Sequence, residues 1–178
     1  MNPILLITKD DFAPYAELSI NLKEEKKLLQ HINNAQELDL RPLLGDQMYY
    51  DMLKKSGDHN YAELLNGKEY EDNGVSIQFQ GLKPVIVYFA YARYLLVANV
   101  QATATGFTQK LNDMSQPIDS RTRTAMIQDA QSIANSYFQR VLTYLNKNKN
   151  LFPFWKQGCN QSVQTRRSGA IISRVQNG

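Results

Sequence analysis

The stretch LKPVIVYFAYARYLLVANVQATA, residues 82–104, decides the fold class. It is the most apolar part of the chain, and Pro84 falls in its first turn, where a missing N–H costs nothing. Val85, Ile86, Val87, Tyr88, Phe89, Ala90, Tyr91 and Ala92 are apolar or aromatic all round, not along one stripe. A helix of that kind is buried on several sides. At 1.5 Å per residue the stretch predicts a helix of roughly 35 Å. A membrane span needs about 20 largely uncharged apolar residues, and Arg93 and the tyrosines interrupt this one, so no membrane partner is expected. Arg93 itself either snorkels, pairs with a carboxylate or reaches a subunit interface.

The segment after it, Gly106 to Asp119, reads as a polar loop with Pro117. Asp119 or Ser120 then caps a second long helix running to about Asn146. Its apolar stripe is Ala125/Met126, Ala130, Ile133/Ala134, Tyr137/Phe138, Val141/Leu142 and Leu145. Two long helices joined in sequence predict an antiparallel pair. The loop between them is longer than such connections usually are, which makes Phe107 and Lys110 candidates for contacts with another subunit.

Upstream, Tyr70, Asp72-Asn73-Gly74, Val75, Ile77 and Phe79 alternate around a turn signal, predicting a small β-hairpin over 68–80. Residues 4–7 suit a short strand or an anchoring arm, and Thr8 with Asp11 resembles a helix cap, limited by Pro14. Asn21 with Glu24 marks a helix start, followed by Leu28, Leu29, Ile32, Ala35 and Leu38 at helical spacing. Pro42 should kink or restart that helix. Met48, Tyr49, Met52 and Leu53 form the stripe of a helix ended by Gly57, and Tyr61 to Leu65 a further one stopped by Gly67. The fold class is therefore mainly α, a helical bundle around a long antiparallel pair with a small β-hairpin.

Past the last helix lie Leu151-Phe152-Pro153-Phe154-Trp155 and a polar, basic tail. The tail carries Arg166, Arg167 and Arg174, with Ala170, Ile171, Ile172 and Val175 suited to one short strand. A lone terminal strand needs an existing edge to pair with, on this molecule or another. Phe152, Phe154, Trp155, Arg166, Arg167, Ile171, Ile172 and Arg174 are accordingly candidate interface residues. Aromatics beside positive charge also fit nucleic acid, the same composition serves an arm that docks on an acidic protein surface, and the plain alternative is a solvated terminus. The chain thus divides into a domain over 1–150 and an aromatic, basic arm over 151–178.

Of 178 residues 43% are hydrophobic, enough to build a core. The net charge of +3 conceals a split. Residues 1–80 hold 8 Lys/Arg and 14 Asp/Glu, a balance of −6, and residues 81–178 hold 12 and 3, a balance of +9. Such asymmetry suits a polyanion partner, head-to-tail self-association, or charges that mix once folded. Residues 1–20 have no secretory pattern, and the single cysteine, Cys159, allows no intrachain disulfide, which fits a reducing cytoplasm.

Chemistry finds little to build on. His31 sits among Leu28, Leu29 and Ile32 and reads as a packed side chain. Ser56, Asp58 and His59 are local neighbours, whereas triad members meet in space. No zinc spacing, phosphate loop or dinucleotide fingerprint occurs. Asp10/Asp11 and Glu24/Glu25 sit at helix starts, where negative charge is stabilising anyway. A non-enzymatic chain with no cofactor and no metal is expected.

One resemblance gives this a direction. Arg41-Pro42-Leu43-Leu44-Gly45-Asp46 with Tyr49-Tyr50 precedes Leu64-Leu65-Asn66-Gly67 and Tyr70. Phe79-Gln80-Gly81-Leu82-Lys83-Pro84, then Tyr88-Phe89-Ala90-Tyr91-Ala92-Arg93-Tyr94, then Gly106 and the polar loop follow. Over residues 1–160 this order resembles the head–tail connector (adaptor, or ring) proteins of Bacteroidetes tailed phages, including crAss-like phages. The resemblance implies a virion protein of the phage neck, assembled in the bacterial host cytoplasm. It implies a homo-oligomeric ring of about twelve copies closed by heterologous contacts. Its partners would be the portal protein and a downstream tail or neck protein, with genomic DNA passing through the channel without specific binding. The alternative reading is a DNA-binding accessory protein using the basic C-terminal half.

Overall fold

The computed structural model describes residues 3–18, 25–97, 100–103, 106–109 and 119–156. The elements are α1 (Glu25–Ala35), a π turn (Gln36–Leu40), α2 (Arg41–Leu44), α3 (Asp46–Lys54), α4 (His59–Asn66), β1 (Lys68–Asp72) and β2 (Val75–Phe79). Then come α5 (Lys83–Val97), β3 (Val100–Thr103), β4 (Gly106–Gln109) and α6 (Ser120–Lys147). The result is a helical bundle with small antiparallel hairpins, β1–β2 and β3–β4.

α5 is the axis of the molecule. Val85, Ile86, Val87, Phe89, Ala90 and Ala92 are buried between α1 on one side and α6 on the other. The pair α5–α6 runs antiparallel. Tyr88 stacks on Tyr137 at 5.9 Å, while Gln80, just before α5, accepts from Arg140 at 2.9 Å, so advancing along one helix means retreating along the other. Ala130, Ala134, Phe138, Val141 and Leu145 of α6 face the core. Asp119 caps α6, its carboxylate accepting from Thr122 N at 2.9 Å.

Two expectations are corrected along this pair. The helix read over 82–104 stops at Val97, and part of the loop read over 106–119 is strand. Val100-Gln101-Ala102-Thr103 alternates apolar with polar side chains, a period that fits a strand and not a helix, and it pairs with Gly106–Gln109. With 15 residues α5 is about 22 Å long, whereas α6 with 28 is about 42 Å. The first turns of α6 therefore run past the end of α5. Ala125, expected in the core stripe, is exposed there.

The third correction concerns Leu38, which is 59% exposed. Pro42 offers no N–H to the turn before it, and the chain answers with i→i+5 bonding, Arg41 N–H donating to Gln36 O. The widened turn carries Leu40 onto the buried line of Leu28, Ile32 and Ala35 and leaves Leu38 facing out.

The same turn holds the N-terminal arm, which is an anchoring segment and not a strand. Gln36 is the buried polar side chain of the described core. Its Oε1 accepts from Leu6 N at 2.7 Å and its Nε2 donates to Ile4 O at 3.0 Å. One side chain thus supplies what a neighbouring strand would, and lets Leu6 and Ile7 bury. Farther along, Asp11 accepts from Thr8 N at 2.7 Å and pairs with Lys83 at 2.7 Å. Partial burial opposes its charge, but Lys83 and Thr8 outweigh that and hold the carboxyl below its ordinary range. Gln36→Ala is expected to cost about 2 kcal/mol in urea denaturation, because the buried Leu6 amide and the part-buried Ile4 carbonyl lose their partner. The Leu6 amide should lose its hydrogen-exchange protection at the same time.

Candidate assembly surfaces

Arg93 emerges from the buried axis and meets Asp39 of the π turn. Its Nε and Nη2 donate to the two carboxylate oxygens at 2.7 and 2.9 Å. This two-pronged contact fixes α5 against the first helix, with both side chains about a quarter exposed. Beside it, burial, Arg93 and Lys27 lower the pKa of His31, whose ring lies edge-on to Tyr94 at 6.4 Å. His31 is therefore a packed neutral imidazole at pH 7. His59 is exposed and sits 3.2 Å from Glu63. Among the described residues no three His, Cys, Asp or Glu side chains gather to hold a metal ion, and no helix is long and apolar enough to cross a membrane.

The charge split is partly consumed within the chain itself. Among the described residues three ion pairs join the acidic half to the basic one, Asp39 to Arg93, Asp11 to Lys83, and Asp72 to Lys147. Arg140 lies over the Tyr137 ring at 5.6 Å. The third expectation about charge, mixing on folding, thus holds for these groups.

The aromatic segment after α6 divides. Phe152 is buried, edge-on to Tyr61 at 5.6 Å and to Tyr144 at 6.2 Å. Trp155 is 6% exposed, its Nε1 donating to Asn146 Oδ1 at 3.0 Å. Both are expected at an interface from the sequence, and both instead close one end of the chain's own core. A chain that folds back after a helix puts its aromatics on the nearest apolar surface, here Tyr61 and Tyr144. Phe154, 41% exposed, remains on the outside. Phe107 belongs to β4. Lys110, Arg166, Arg167, Ile171, Ile172 and Arg174 lie outside the described residues.

One surface was not anticipated. Gln128, Gln131, Ser132, Asn135, Ser136 and Gln139 line a shallow, open concavity along α6. All six are exposed and uncharged. They occupy the face opposite Ala130, Ala134, Phe138 and Val141, so the same helical spacing that marks the core could have marked them. The face can offer many hydrogen bonds and no fixed charge.

The family model described as a family of unknown function (DUF6712) matches residues 40–165. No curated protein and no solved structure matches the chain.

Proposed function

The chain belongs to DUF6712, a family of unknown function, and we propose that it is a structural subunit of a ring that joins the portal of a tailed-phage head to the tail and extends the DNA channel. The observation that carries this reading is α6, a helix that outruns its partner and turns an uncharged Gln/Ser/Asn face outward. A rod that projects beyond the core can lie beside its counterpart in the next copy. Repeated around an axis, such unlike-face contacts close into a ring. A channel wall for DNA must avoid strong attraction to phosphate, and a face without fixed charge meets that need. The resemblance of the motif order to that of phage connectors supports the same reading. In it the chain has no catalytic residue and no cofactor, and works in the virion neck after assembly in the host cytoplasm. Its partners are further copies, the portal protein and the next tail component.

The test is negative-stain microscopy of the full chain mixed with the portal protein of the same phage. Rings or capped portals, with about twelve copies, are the expected result. A chain that stays monomeric at high concentration and leaves portals bare overturns the reading. A mobility shift of duplex DNA at physiological salt, lost when Arg166 and Arg167 become Ala, would favour the DNA-binding alternative.

A further inference from the structure

Among the described residues, the β1–β2 hairpin has an unpaired backbone edge. Asn73 and Gly74, with φ of 52° and 79°, form a two-residue turn of the type that matches strand twist. Asp72↔Val75 is then a hydrogen-bonded pair, and by alternation so are Tyr70↔Ile77 and Lys68↔Phe79. Glu69 and Glu71 must therefore point their N–H and C=O groups away from β2. Among the described residues no backbone group from elsewhere bonds to β1. Proteins normally blunt or cover such an edge. This one is acidic, with Glu69 and Glu71 exposed and Asp72 beside them.

The chain's own C-terminal segment has the complementary properties. No acidic side chain follows Asp129, and Arg166, Arg167 and Arg174 surround Ala170, Ile171, Ile172 and Val175. Its point of departure is also close by. Trp155 is tied to Asn146, and the adjacent Lys147 pairs with Asp72 of the hairpin, so the chain leaves the body on the hairpin's side. Residues 157–169, at about 3.3 Å per residue, reach roughly 43 Å, enough for the hairpin of the same copy or of an adjoining one.

We propose that residues 170–175 of this chain add to β1 as a third strand, with the basic flanks set against Glu69 and Glu71. In a strand Arg174, Ile172 and Ala170 share one face and Ile171, Ser173 and Val175 the other. Arg174 on the outer, Glu-bearing face leaves Ile171 and Val175 on the face of Tyr70, which packs toward Tyr144 of α6 at 5.7 Å. Backbone bonds supply the affinity, and the arginines the choice of edge.

Residue-resolved hydrogen exchange tests this on the full chain. The Glu69 and Glu71 amides are compared between the natural sequence and Ile172→Pro, which cannot complete the added ladder. At least tenfold faster exchange at both positions in the variant is expected, with the Tyr70 amide unchanged because it bonds to Ile77 in either case. Protection that grows with protein concentration assigns the strand to a neighbouring copy, and constant protection to the same copy; both uphold the seat on β1. Equal exchange at Glu69 and Glu71 in the two proteins overturns it. The result does not depend on whether the chain forms a portal ring, so the two proposals fail separately.

Discussion

Gly81→Ala will destabilise the protein by about 4 kcal/mol, and Gly67→Ala by a comparable amount. The two glycines touch where the hairpin leaves α4 and enters α5. A Cβ on Gly81 would stand 2.5 Å from Gly67 N and Leu65 O, and one on Gly67 would fall on Phe79 O. Those neighbours are backbone and cannot rotate away. Both glycines also have positive φ, 76° and 86°, which a side chain resists. The neck they form is what lets Leu82 N donate to Leu64 O at 2.9 Å and start α5 at the right angle. Gly74 separates the two costs. Its φ is 79° but nothing lies within 4 Å of its added Cβ, so Gly74→Ala should cost only about 1 kcal/mol. Denaturant unfolding of the three variants checks this, and equal losses at Gly74 and Gly81 would refute the steric argument.

Phe152→Ala should cost about 3 to 4 kcal/mol, the toll of emptying a fully buried aromatic site. Phe154→Ala, two residues on, should stay within about 0.5 kcal/mol of the natural protein. Urea melts of both variants measure the difference. If Phe152 served another molecule and not this core, its loss would leave the melt of the isolated chain untouched.

The features legible in the sequence were those set by local chemistry. Asn73-Gly74 between alternating residues specifies its hairpin with little outside help. The stripe from Ala130 to Leu145 is long enough for the helical period to be unmistakable. The end of α5 was not legible, because Leu95, Leu96 and Val97 run straight into Val100 without a Gly or Pro between them. Only a four-residue alternation marks the change, and hydrophobicity alone hides it. The π turn was legible in cause but not in consequence: Pro42 announces a disturbance, while its form depends on Leu40 reaching the core and Asp39 reaching Arg93. The burial of Phe152 and Trp155 was not legible because an aromatic beside a basic tail looks like a surface feature, whereas Phe152 is covered by Tyr61 of α4, far away in the chain, and the return of the chain onto Asn146 of α6 leaves no local signal. The uncharged face of α6 has the same helical spacing as the apolar one, but exposed Gln, Ser and Asn carry no signal that separates a contact face from a solvated one.

The widened turn at Gln36–Leu40 also bears on how this chain tolerates change in length. An i→i+5 turn accommodates one residue more than the α-helical turn that would fill the same place. Leu38 is the spare member: it is exposed, and the residues on either side carry the contacts, with Glu37 holding Tyr49 and Asp39 holding Arg93. Removing Leu38 would take away the extra residue of the widened turn while Pro42 stays, and it would rotate Gln36 and Asp39 relative to each other and so free either the N-terminal arm or Arg93. The turn is thus a single-residue insertion turned into a joint, fixing at once the two attachments that a straight helix could offer only one at a time.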